Sequence, residues 1–365
     1  MTRSAARRLA DAVLPPMAIA IGTRLALLAI AYAATVTLPS PGFAAGIWRT
    51  GGLVDAWNRW DAGWYLRIAA YGYEYRAADP VSSVAFFPFY PLLMRAASVF
   101  THDHMSSGLI ISGLAFVLAC VLLYDSTRRR FGAPVATTAT WLLCLYPYSF
   151  YFAAVYTAAF WLADRGASAG SIAAAALASA TRLVGVGVGA ALALRRLRSS
   201  HRPGDLAGVV AIGAASASGF VVYASYLWLA FGDPLAMVRS SAAWGGFNPF
   251  SDGFSRLNPI AFGPGDYSLV LLLNLALAVG ALALLPSVWC RLGPEYALYT
   301  AICVLVPLSQ RLESLGRYTV VGFPVFIVLA ALLQGRETAR PLVLVASAGA
   351  LALLTMLFAT GRWVI

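Results

Sequence analysis

Apolar runs divided by short arginine-bearing segments recur along the whole chain, and their lengths predict membrane-spanning helices. The first run follows Arg3, Arg7 and Arg8 and reaches about Leu38. A cleavable signal peptide has an apolar core of only about 7 to 15 residues, so this run is expected to be a retained first span with a cytoplasmic N-terminal flank. Arg24 interrupts it about a third of the way along, and its head is expected to snorkel to the near interface. Further spans are expected at residues 108–124, 134–152, 206–231, 267–289, 295–307, 318–333 and 341–359. Between them, residues 153–163 are too short to cross a core of about 30 Å, because they rise only about 16 Å as a helix. Residues 168–194 form either one long span or two half-spans meeting near Thr181 and Arg182. The pattern predicts an all-α polytopic transmembrane bundle of about nine to eleven spans, a single domain over residues 1–365.

Three polar stretches share one side of this layout. Residues 39–107 hold apolar patches without a clean spanning run, which suits amphipathic helices lying at the membrane surface. Within them, residues 53–70 have helical spacing, with Trp57, Trp60, Trp64 and Ile68 three or four positions apart. Residues 232–266 form a second loop rich in glycine, proline and aromatics, and residues 310–317 a third. The clusters Arg128 to Arg130 and Arg195, Arg196, Arg198 and Arg202 fall on the other side, as the positive-inside rule requires, so the polar stretches are expected outside.

Composition supports the membrane reading: 60% of residues are hydrophobic, 11% are charged and mean hydropathy is +0.75, against about 25% charged in soluble domains. The net charge of +11 comes from arginines without a single lysine. They are spread over loops rather than gathered on one face, so the charge implies topology and contact with membrane lipids, not nucleic acid. Cys120, Cys144, Cys290 and Cys303 all lie in apolar runs, form no metal or disulfide pattern and are expected to be buried small hydrophobes. Thr101-His102-Asp103-His104 lacks a further well-placed ligand, so no metal and no cofactor is expected, and a wet loop is the better reading.

The candidate chemistry centres on Asp61, a carboxylate among rings and arginines in Arg59-Trp60-Asp61-Ala62-Gly63-Trp64-Tyr65-Leu66-Arg67. A carboxylate at an apolar interface is costly unless it is paired or used. Its structural alternative is a simple pair with Arg59 or Arg67. Isolated arginines at span ends and glycine-rich aromatic loops accompany it on the same side. Transfer of a lipid-phosphate-linked sugar needs all three kinds of group: a base for the acceptor hydroxyl, cations for the phosphate and aromatic faces for the sugar.

The tract RWDAGWYLRIAAYGY followed by AFFPFYPLL resembles the signature of PIG-V-type mannosyltransferases, polytopic GT-C glycosyltransferases that use polyprenyl-phosphate sugars. Further blocks keep the family's order: YPYSFYFAAVYT at residues 146–157, SATRLVGV at 179–186, GDPLAMVRSSAAWG at 232–245 and ESLGRYTVVGFPVFIVLA at 313–330. The resemblance implies inverting transfer of mannose from a polyprenyl-phosphate-mannose donor to a lipid, polysaccharide or protein acceptor outside a bacterial cytoplasmic membrane. It implies that Asp61 is the catalytic base or positions the acceptor. Arg182, Arg317 and Arg311 are the candidates for the donor phosphate, with a structural carboxylate pair as the alternative for Arg182. Trp60, Trp64, Tyr65, Arg67, Phe87, Tyr90, Tyr156, Trp244 and Tyr318 match or flank the motifs as sugar or acceptor contacts or as packing. Another polyprenyl-phosphate sugar such as arabinose fits the same groups. A transporter or lipid flippase is the rival from another class, although the acidic residues concentrate on the external side and no internal repeat is visible.

One departure stands out. Related sequences carry an acidic residue after the Val-Tyr-Thr of the third block and then a full apolar helix. Here Ala158, Ala159 and Phe160 follow Thr157, and the chain soon reaches Asp164 and Arg165. Either part of a helix is lost together with an acidic group of the site, or the site is assembled without them.

Overall fold

A computed structural model describes residues 3–38, 56–77, 81–149, 155–199, 206–242, 268–309, 312, 314–362 and 364, with the side chains of residues 3–9 and 268 left aside. Among these residues every extended element is an α-helix: α1 (Arg3–Thr37), α2 (Asp61–Tyr71), α3 (Phe89–Thr101), α4 (His104–Phe131), α5 (Ala133–Leu145), α6 (Val155–Asp164), α7 (Ser168–Ser179), α8 (Val186–Ser199), α9 (Leu206–Phe231), α10 (Ala236–Ala242), α11 (Ser268–Ala283), α12 (Leu285–Leu292), α13 (Pro294–Leu308), α14 (Leu315–Thr319), α15 (Pro324–Leu332) and α16 (Ala339–Ala359). Among the described residues, five stretches are long and apolar enough to cross a membrane: Ala10–Thr37, His104–Phe131, Leu206–Phe231, Leu269–Leu292 and Ala339–Ala359.

The expected spans at 206–231 and 341–359 agree with α9 and α16 to within two residues. The expected span at 108–124 extends at both ends. Its start is set by Asp103, whose carboxylate accepts the N–H of Met105 and Ser106 at 3.3 and 2.6 Å, an N-cap that satisfies donors the first turn leaves open. Asp103 is therefore a capping residue and not part of a wet loop, and the described residues hold no cluster that could bind a metal. The expected span at 134–152 is cut to α5. Tyr146 precedes Pro147, whose ring disfavours a helical residue before it, and Tyr146 takes ψ 135°. Likewise the run at 318–333 divides into α14 and α15 ahead of Pro324.

The middle of the chain adopts the two-half-span alternative. α7 stops at Ser179, Arg182 is extended, and a 3-10 turn at Leu183–Gly185 leads into α8. The short helices meet the long ones partway along. Cys144 in the last turn of α5 lies 3.6 Å, sulfur to sulfur, from Cys120 in the middle of α4. Along α4, Cys120 is about 24 Å from His104 at 1.5 Å per residue. The end of α5 is thus sunk within the bundle. α9 closes over α7 at Gly219, where a Cβ would lie 2.4 Å from the Ala176 carbonyl oxygen. An aromatic core of Phe160, Tyr296, Tyr299 and Phe323, with Phe160 centroids 4.7, 5.0 and 5.5 Å from the others, joins α6, α13 and the break before α15.

Two expectations are corrected here. Arg24 does not snorkel to an interface: its guanidinium donates to the Cys144 carbonyl at 3.2 Å and the Ser149 hydroxyl at 2.8 Å, and it covers the Phe116 ring at 3.9 Å. An internal acceptor at a helix end outcompetes a distant interface, because the α5 carbonyls there have no helical partner. Cys290 is exposed, whereas Cys120, Cys144 and Cys303 are buried.

Candidate active site

α2 begins at Asp61 itself rather than near residue 53, so the expected stripe is divided: Trp57 lies before the helix and packs 5.9 Å from Phe358 at the end of α16. Trp60 precedes the helix with φ 52° and ψ −119°. A bulky residue at positive φ is a strained backbone, of the kind that persists where the surroundings over-determine it. Its ring packs against the main core, and Arg59 donates to the Ala359 carbonyl at 3.1 Å. These contacts on both sides of the turn hold the kink that starts α2 at the carboxylate. Asp61 then lies in the first turn, where the helix dipole favours its negative charge.

The partner of Asp61 is Arg317, not Arg59 or Arg67. An Arg317 N–H donates to Asp61 Oδ2, and its other terminal nitrogen donates to Ser314 Oγ at 2.6 Å. Arg317 lies on the five-residue α14 and its side chain is only 10% exposed, while that of Asp61 is 28% exposed. The pair is therefore buried on the arginine side and open on the carboxylate side. Arg67 is turned away into an exposed pair with Glu74 at 2.6 Å.

Arg182 comes to the same place from the break after α7. Its Cζ lies 5.1 Å from the Tyr318 ring centroid, adjacent in sequence to Arg317. Among the described residues it has no carboxylate within ion-pair distance, so the structural-pair alternative is not what is seen; Asp61 acts on it only through space. Beside it, Tyr156 and Thr181 share a hydroxyl-to-hydroxyl hydrogen bond of 3.0 Å. A cation resting on a ring is stabilised without being neutralised, which leaves its charge for an anion.

Tyr65, one turn beyond Asp61, lies edge-on to Phe86 at 5.3 Å and Tyr90 at 5.2 Å. Burial pushes its phenol up to about 12, within the fields of Arg182, Asp61, Tyr318 and Arg317. It stays a neutral hydroxyl at any physiological pH. The other aromatics of the motif pack around it. Tyr90 is anchored on the Gly108 carbonyl and Ser112 hydroxyl, each at 3.0 Å. Trp64 stacks on Phe86 at 5.7 Å. Phe87 points away, 5.5 Å from Tyr223 of α9. Arg311 and Trp244, and most of the loop at 232–266, lie outside the described residues.

The structure thus brings together Asp61, Tyr65, Tyr156, Arg182, Arg317 and Tyr318 from α2, α6, the α7–α8 break and α14. Ser314 and Thr181 also hold the cluster; Thr181 stands beside Arg182 and Ser314 three positions before Arg317, but a lone hydroxyl there gives no signal. The shortened segment after Thr157 still delivers Tyr156. α6 ends at Asp164, which Arg195, Arg130 and Tyr296 grip at 2.6, 2.7 and 2.7 Å, and Gly166 at φ 74° turns the chain back into α7.

Comparison with known proteins bears on the same stretch. No curated protein matches the chain. Two solved structures of the Archaeoglobus fulgidus oligosaccharyltransferase match in fold: the apo form, at 16% identity and a TM-score of 0.39, and a form tethered to an acceptor peptide with the NVT sequon through a disulfide bond, at 15% and 0.37. The alignments cover 93% of this chain and 56% and 55% of those chains, so this chain spans about half their length. Residues 23–166, which contain Asp61, Tyr65, Tyr90 and Tyr156, match the family model described as mannosyltransferase (PIG-V).

Proposed function

We propose that this protein transfers mannose from a polyprenyl-phosphate-mannose donor to an acceptor hydroxyl on the external side of the membrane, with inversion and with Asp61 as the base. The observation that carries the reading is the half-engaged carboxylate. Arg317 bonds Asp61 Oδ2, while Oδ1 has no partner among the described residues and the side chain is open to solvent.

Asp61 Oδ1 accepts the proton of the acceptor hydroxyl as that oxygen bonds to the anomeric carbon. The bond between that carbon and the phosphate oxygen breaks, and its electron pair stays on the phosphate, which gains one negative charge. Arg182, stabilised on Tyr318 and without a carboxylate partner among the described residues, receives that charge. Arg317, which the sequence suggested for the phosphate, instead orients Asp61. Tyr65 and Tyr156 stand beside both groups as neutral hydrogen-bonding hydroxyls. The arginine-rich ends of α4 and α8 supply the positive-inside side, and the opposite ends of the short helices carry the cluster.

The test is transfer by purified protein given polyprenyl-phosphate-mannose and membrane lipid extract, comparing wild type with Asp61→Asn. Transfer by wild type and its loss in the variant supports the reading. Equal rates overturn the assignment of Asp61, and transfer from polyprenyl-phosphate-arabinose but not from the mannosyl donor overturns the sugar.

A further inference from the structure

Arg24 lies midway along a membrane-spanning helix, far in sequence from every group in the cluster, and its guanidinium ties three elements together. From α1 it covers Phe116 of α4 at 3.9 Å and donates to the Cys144 carbonyl and Ser149 hydroxyl, which bracket the turn after α5. A cation in a span is held at a cost and needs acceptors in the bundle; the open carbonyls at the end of α5 supply them, and their dipole favours positive charge.

The turn so fixed carries Tyr146 and Tyr148, both buried. Tyr146 donates its hydroxyl to the Gly316 carbonyl at 3.1 Å. The Tyr148 ring lies so close to Gly316 that a Cβ there would be 2.2 Å from Cε2. Gly316 is the residue before Arg317, and Arg317 holds Asp61. The contacts therefore run without a gap from Arg24 through the Tyr146 to Ser149 turn and Gly316 to the catalytic pair. Coupling of this kind is carried by packed, hydrogen-bonded elements, and α14 has only five residues of its own with which to place Arg317.

We propose that Arg24 is a positioning residue for sugar transfer: by clamping the turn after α5 it sets, through Tyr146, Tyr148 and Gly316, where Arg317 holds Asp61. The proposal rests on the reading of Asp61 as base. Arg24 touches no reacting atom, so its loss lowers turnover and leaves donor binding at Arg182 in place.

The experiment measures kcat and donor KM for Arg24→Gln, Arg24→Lys, Tyr146→Phe, the double variant Arg24→Gln with Tyr146→Phe, Ser149→Ala and Asp61→Asn, on protein shown to be folded by thermal unfolding in detergent. A misplacement of about 1 Å costs about 10²-fold in rate, so Arg24→Gln is expected to lower kcat about 10- to 100-fold with KM within about twofold. Lysine recovers part of the loss, and the double variant is no worse than the poorer single one, because both act on the same link. Should Arg24→Gln fail to fold, Arg24→Lys and Ser149→Ala carry the test, each lowering kcat with KM held. Wild-type kcat in these variants, equal effects on kcat and KM, or multiplying losses in the double variant overturn the role of Arg24. If those results come with an inactive Asp61→Asn, the base assignment stands alone; if Asp61→Asn transfers at the wild-type rate, both proposals fall.

Discussion

Two carboxylates in this molecule meet arginines in opposite ways. Asp164, at the end of α6, has both oxygens engaged: Arg195 donates to Oδ1, and Arg130 and Tyr296 to Oδ2, at 2.6 to 2.7 Å. Asp61 receives one arginine on one oxygen and keeps its side chain 28% exposed, against 17% for Asp164. A carboxylate with both oxygens engaged can join helices but offers little room for a proton. One that is held and left half open is oriented and still reactive. The same pairing chemistry thus closes a carboxylate at one end of the short helices and leaves the proposed base open at the other.

The sharpest way to break that comparison is to neutralise each acid in turn. Asp61→Asn is expected to lower transfer by about 10²- to 10⁴-fold, the range of a lost general base, while leaving the unfolding midpoint in detergent within a few degrees. Next in size, Arg182→Gln is expected to cost about 10²- to 10³-fold in kcat, as loss of a single group that stabilises developing charge does. A donor-binding defect without a kcat defect would show that Arg182 serves only ground-state binding. Asp164→Asn should reverse the pattern. It removes charge-assisted bonds worth roughly 1–3 kcal/mol, discounted toward the lower end because Arg130 and Arg195 are 31% and 30% exposed. A lowered unfolding temperature with turnover per folded molecule within about threefold is the expected result. The smallest effect belongs to Glu74→Gln: its pair with Arg67 is 61% and 39% exposed, so less than about 1 kcal/mol and no change in kcat is expected. A large loss of transfer there would mean that Arg67 belongs to the reaction after all.

Some of this was legible in the chain and some was not, for reasons the particular residues show. α9 and α16 were found almost to the residue because a long apolar run needs nothing beyond its own backbone hydrogen bonds to be a helix in lipid. α5 was placed too long, since Tyr146-Pro147 lies within a run whose hydrophobicity continues past it. Asp61 announced itself by cost, as a carboxylate among rings. Its partner did not: Arg59 and Arg67 are two and six positions away, whereas Arg317 is 256 positions away and no local pattern links them. Arg24 was misread for the same reason, because the carbonyl it caps is 120 positions distant.

The sequence by itself determined that the protein is helical and belongs in a membrane, where the polar segments fall between spans, and that Asp61 and Arg182 stand where an ionised group is costly. Those properties follow from burial and desolvation, which act on each stretch separately. Only the tertiary structure decided which arginine holds Asp61, which one rests on Tyr318, and which carboxylate is closed. These depend on broken helices meeting inside the bundle, and a hydrogen bond a few ångströms long is fixed by packing between elements remote in the chain.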